Sequence, residues 1–195
     1  YYSKSFSEIL GVSRREISHS GFLAWLLGNL ESHNLGEFPI KKFLDIILKF
    51  SNDKLKSKHS DLFNSFVTED YLIERLFIKS EHAIKNVGRL DIYIELTLLI
   101  AGKTKNIKLI IENKVESREN NDQTNSYFNF FNPTENDDNI VIYVYLTPIS
   151  TLELIELTEP ECNCKAFIQI NYQSIVDYLI EPALNQNIST RTQNI

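Results

Sequence analysis

Glu112 and Lys114 sit two positions apart in the apolar run Ile110-Ile111-Glu112-Asn113-Lys114, and Asp91 sits inside another, Leu90-Asp91-Ile92. In an extended strand alternate side chains share a face, so Glu112 and Lys114 point the same way, with Cα atoms about 7 Å apart. A carboxylate inside such a run is costly unless it is paired or bound to a cation. Adjacent strands could carry Asp91 alongside Glu112, bringing two carboxylates and an ammonium to one spot. Carboxylate oxygens suit hard cations such as Mg²⁺ or Mn²⁺, and a neighbouring ammonium can orient or help deprotonate the attacking water while offsetting phosphate charge. Those are the parts that phosphodiester hydrolysis needs. The plainer alternative is an exposed ion pair on the solvent face of a sheet, which contributes little.

The elements that would position these residues are legible in the hydrophobic periods. Leu90, Ile92, Ile94 and Leu96 alternate with Asp91, Tyr93 and Glu95, which predicts a half-buried strand. Ile107 to Val115 reads as the next strand, joined through a hairpin connection over Ala101 to Asn106. Tyr71 to Ala83 reads as a strand closed by the turn residues Asn86-Val87-Gly88. Ile140 to Leu146 and Ala166 to Ile170 complete the strands. Ile17, Leu23, Leu26, Leu27 and Leu30 recur at helical spacing, with Ser18 or Ser20 as N-cap. Pro39 opens a second helix through Phe50, and Ser51 to Ser60 reads as a polar, Lys-rich loop or insertion. Glu116 to Phe131 is helix-compatible until Asn132-Pro133, and Tyr172 to Leu184 is helical with a break at Pro182. This order predicts an α/β fold, a mixed central sheet flanked by helices. The chain reads as one domain over residues 1–195, with helices of about residues 1–60 packed on a core of about 65–185.

At this point a resemblance becomes specific. Gly88-Arg89-Leu90-Asp91-Ile92, then Ile111-Glu112-Asn113-Lys114, then Gln123 and Tyr127 on a helix, resembles the PD-(D/E)XK nuclease superfamily, in particular a bacterial branch with G-R-x-D-I, I-E-N-K and Q-x-x-x-Y. The opening Glu16-Ile17-Ser18-His19-Ser20, followed by Phe22-Leu23-Ala24-Trp25-Leu26-Leu27, is similar to that branch's first helix. The resemblance implies a restriction-endonuclease-like core and Mg²⁺- or Mn²⁺-dependent cleavage of nucleic acid, with DNA the expected substrate. It implies Asp91 and Glu112 as metal ligands, the Asn113 backbone carbonyl as a further ligand, Lys114 as the catalytic lysine, and Glu16 completing the metal site. Gln123 would support the site, and Tyr127, one turn later, would approach substrate or pack beside Gln123. No proline precedes Asp91, so the literal P-D pair is missing. Arg89 is placed to contact a phosphate or to form a turn-flanking salt bridge, and His19 to bond phosphate or make a structural hydrogen bond.

Composition narrows the classes further. Across 195 residues, 43% are hydrophobic, enough for a real core. The net charge of −6 argues against a protein that clings to nucleic acid by bulk charge, but bound cations can invert the local charge of an acidic site. Cys162 and Cys164 are one residue apart, and His19, His33, His59 and His82 are scattered, which favours reduced thiols over a zinc site. No run has the apolar length of a membrane span and no signal-peptide pattern opens the chain, so a cytoplasmic protein is expected. A homodimer would suit cleavage of two strands. The rival reading keeps the fold without the chemistry, as a module that binds nucleic acid or a protein partner.

Overall fold

The computed structural model describes residues 16–115, 122–149 and 162–186. Four helices come first among them: α1 (Glu16–Leu27), α2 (Phe38–Phe50), α3 (Asp53–Lys58) and α4 (Ser60–Thr68). Then follow β1 (Leu72–Ile84), β2 (Gly88–Ile100), β3 (Lys103–Asn113), α5 (Gln123–Phe131), β4 (Asn139–Thr147) and β5 (Phe167–Asn171). The strands form one sheet in the order β1-β2-β3-β4-β5. β1, β2 and β3 are antiparallel neighbours, whereas β3, β4 and β5 run parallel. The parallel β3–β4 step needs a crossover, and α5 lies within it. This is the mixed sheet flanked by helices that the sequence predicts.

Alternation along the strands divides the core in two. Ile92, Ile94 and Leu96 of β2, Leu109 and Ile111 of β3, and Ile142 and Val144 of β4 pack with Leu23 and Leu27 of α1, Phe43 and Ile47 of α2, and Leu62 and Phe66 of α4. On the opposite face Tyr93, Ile110, Tyr143 and Tyr145 pack with Tyr127 and Phe131 of α5 and with the buried Cys162 and Cys164, which form no disulfide. No helix among the described residues is long and apolar enough to cross a membrane.

Several local expectations are corrected. α1 already includes Glu16, so Ser18 and Ser20 lie inside the helix and cap nothing; Ser20 is fully buried. The stretch expected as a loop contains α3, because the Asn52 side chain accepts the Leu55 N–H at 2.9 Å and caps it. Its end is tied down by Glu135, which receives Lys58 Nζ at 2.7 Å and meets His59 Nε2 at 2.9 Å. The connection expected over Ala101 to Asn106 shrinks to Ala101-Gly102, both left-handed at φ 47° and 77°, which is the geometry of a two-residue hairpin. The final helical stretch is not broken at Pro182. A wide π turn over Val176–Ile180 precedes it, with the Glu181 N–H reaching back to Val176, and Pro182 then sits at the start of Glu181–Leu184, where its missing N–H does no harm. Of the helix expected over Glu116 to Phe131, residues 116–121 lie outside the described residues.

Candidate active site

The site grows from the register of β2 on β3. Antiparallel pairing sets Ile92 opposite Ile111, so one step further Asp91 and Glu112 are neighbours at the strand ends. The Asn113 N–H donates to Asp91 Oδ2 at 2.7 Å. The Lys114 N–H donates instead to the Leu146 carbonyl at 2.9 Å, which leaves the Asn113 amide facing β2, as alternation in a parallel ladder requires. Strand parity sends the Asn113 side chain toward α1 and the Glu112 side chain to the opposite face. There Lys114 Nζ stands 2.6 Å from Glu112 Oε1. Asp91, Glu112 and Lys114 are therefore brought together at the C-terminal end of β3. The pair is no surface decoration, because Glu112 is 0% and Lys114 8% exposed.

The electrostatics of this cluster are unbalanced. Glu112 Oε1 has a close ion pair with Lys114, and Glu112 Oε2 has no hydrogen-bond partner among the described residues. Burial pushes the Glu112 carboxyl up to about 8, with Asp91 adding to the rise and Lys114 opposing it. Burial likewise raises Asp91 to about 6, against the pull of the Asn113 N–H and of Lys114. For Lys114, burial acts to lower the pKa, but Glu112, Glu16 and Asp91 together outweigh it, so the net shift is upward and the amine stays charged. A buried acid with an unanswered oxygen, among more acids than bases, is short of positive charge. Its all-oxygen donors fit a hard divalent cation. Among the described residues no three His, Cys, Asp or Glu side chains gather closely enough to hold a metal ion. A cation here would draw on Asp91, Glu112, main-chain oxygen and water.

The remaining expected residues fall around this centre. The Glu16 carboxylate, at the start of α1, accepts the Val115 N–H at 3.2 Å. The His19 ring lies 5.8 Å from the Tyr172 ring. Arg89 pairs with Glu81 at 2.8 Å rather than with Asp91, and its side chain is 60% exposed. Gln123 Nε2 donates to Tyr127 Oη at 2.6 Å, and Tyr127 Oη donates to the Arg89 carbonyl at 2.8 Å. Tyr127 is fully buried and packs beside Gln123, so of its two expected placements it takes the internal one. Gly88 lies against this phenol: its φ of +152° disfavours a side chain, and an added Cβ would touch Tyr127 Oη at 3.4 Å. Sequence reasoning missed Ser20 and Tyr172, which both hydrogen-bond the Asn113 side chain. No spacing rule links them to it, since the chain separations are 93 and 59 residues.

No curated protein and no solved structure matches the chain significantly. A family model described as the PD-(D/E)XK nuclease superfamily matches residues 6–195. That match spans β2 and β3, which carry the acid pair and its lysine, together with the helices on both faces, and by it the chain belongs to the PD-(D/E)XK nuclease superfamily.

Proposed function

We propose that the chain is a single nuclease domain that hydrolyses phosphodiester bonds in DNA with the help of Mg²⁺ or Mn²⁺. The observation that carries this reading is the buried Glu112 carboxylate, one oxygen without a partner among the described residues, beside Asp91 and a charged Lys114. Asp91, Glu112 and the Asn113 main-chain carbonyl would hold the cation, and Glu16 could add its carboxylate by releasing the Val115 N–H. When bound, the cation supplies positive charge that polarises the scissile phosphate and makes water more acidic. Lys114, held by Glu112 and protonated, donates a hydrogen bond that orients the attacking water and offsets charge building on the phosphate oxygens. The attacking water gives up its proton to solvent as its oxygen bonds to phosphorus, and the leaving 3′-oxygen takes a proton from solvent as the P–O3′ bond breaks, giving a 5′-phosphate product. Tyr127 fixes the strand entry by its hydrogen bond to the Arg89 carbonyl, and Gln123 holds the Tyr127 hydroxyl in place. Arg89, largely exposed, can exchange Glu81 for a backbone phosphate, and His19, one turn into α1, can offer a phosphate a hydrogen bond.

The test incubates purified protein with plasmid, linear duplex and single-stranded DNA, and with RNA, in Mg²⁺, Mn²⁺ or EDTA. Asp91→Ala and Lys114→Ala run alongside, with circular dichroism to check the fold. Cation-dependent DNA cleavage should fall by at least about 100-fold in each variant. Full cleavage by both would reject the site. Cleavage of RNA alone would move the substrate, and no cleavage of anything by the wild type would leave only a binding module.

A further inference from the structure

Asn113 is nearly fully buried, and its side chain is held at both ends. Nδ2 donates to Ser20 Oγ at 2.9 Å and to the Glu16 carbonyl at 3.3 Å, while Oδ1 accepts from the Tyr172 hydroxyl. The orientation of this amide is not interchangeable. A backbone carbonyl can only accept, so Nδ2 must face Glu16, which leaves Oδ1 for the phenol. The partners come from two separate places, α1 and Tyr172 at the exit of β5, and Asn113 ties both to the end of β3. Asn113 is also the residue between Glu112 and Lys114, and its own N–H holds Asp91. Rotation about its backbone would move the Asp91 anchor and tilt Glu112 and Lys114 together.

We propose that Ser20 and Tyr172 are positioning residues for the cation site, acting through the Asn113 side chain to fix the main chain between Glu112 and Lys114. This rests on the cation reading given above, and deepens it by assigning two residues that touch neither cation nor substrate. The clamp sets the direction of the Asn113 N–H and carbonyl before any ion arrives. Its loss would make each binding event order the strand end first, so affinity falls while the chemistry, once the site is filled, persists. Outer hydrogen-bond partners of metal ligands typically contribute about 10–100-fold in affinity.

The experiment measures Mn²⁺ binding by calorimetry for wild type, Tyr172→Phe, Ser20→Ala and a control, Ile142→Val, which trims the first core face away from the site. Both clamp variants should bind Mn²⁺ about 10–100-fold more weakly, with the control unchanged. In cleavage assays the Mn²⁺ concentration for half-maximal rate should rise in step, while the rate at saturating Mn²⁺ stays within a few-fold of wild type. A merely structural role would shift the melting temperature in all three variants and leave Mn²⁺ affinity alone. Wild-type affinity in both clamp variants, or an equal loss in the control, would overturn the clamp while leaving the cation reading intact. No Mn²⁺ binding by the wild type would overturn that reading, and the clamp with it.

Discussion

Lys114 Nζ and Glu112 Oε1 meet at 2.6 Å although the glutamate is fully buried and the lysine nearly so. An ion pair so placed is poor evidence of stabilisation, since desolvating both charges offsets most of their attraction. Its value is positional: the ammonium stays charged beside a carboxylate whose second oxygen has no partner among the described residues.

Removing that ammonium gives a pH-dependent cost. With Lys114→Met, Glu112 can escape isolation by holding a proton, as its raised pKa already favours. A carboxyl whose folded pKa lies above its unfolded value binds its proton more tightly when folded, so stability is greatest at low pH and falls as pH rises through that interval. For Glu112 the interval runs from the ordinary 4.5 to about 8. Urea unfolding should therefore show a small deficit for Lys114→Met at acid pH. Above the folded pKa the deficit should grow to about 3 kcal/mol. A deficit that shrinks with pH would contradict the assignment.

If Asp91 and Glu112 hold the cation, their raised pKa values will couple its binding to protons. A ligand carboxylate must be ionised, so binding displaces protons from Glu112 and Asp91 where they still hold them. Mn²⁺ affinity should rise with pH between about 6 and about 8 and then level off. Calorimetry in buffers of different ionisation enthalpy will count the released protons, and pH-independent binding would exclude this coupling.

Tyr127→Phe tests whether this phenol is internal support. The variant loses the bond to the Arg89 carbonyl and leaves Gln123 without its acceptor. Stability should drop by about 1–2 kcal/mol. KM for DNA should stay unchanged, because the ring does not reach the surface. A large rise in KM with unaltered stability would return Tyr127 to the substrate.

Gly88→Ala should destabilise by more than about 1 kcal/mol, since the backbone conformation disfavours a side chain and the new methyl meets Tyr127. Thermal unfolding of Gly88→Ala in the Tyr127→Phe background separates the two causes. If the contact matters, the second glycine penalty will be smaller.

The cluster of the candidate site was more legible in the sequence than the residues that support it. Asp91, Glu112 and Lys114 stood out because charges interrupted apolar strands, and period-two alternation correctly put Asn113 and Glu112 on opposite faces. The strands β1, β2, β4 and β5 were legible to within a few residues for the same reason. α3 was not, because six largely polar residues carry no buried stripe and the helix depends on a single cap and on Glu135, distant in sequence. Lys103 to Asn106 looked like a loop because a strand end reaching past its covered face carries polar side chains. Ser20 and Tyr172 escaped notice because a hydrogen bond between residues far apart in the chain leaves no local pattern.

The tight Ala101-Gly102 hairpin sets the phase of everything that follows on β3. Lengthening or shortening β3 by one residue between that turn and Glu112 would exchange the acid and the amide: the carboxylate would swing beneath α1 and the carboxamide into the lysine's place. Chemistry at one end of the sheet is thus governed by arithmetic at the other, and indels along this strand should be far less tolerated than substitutions.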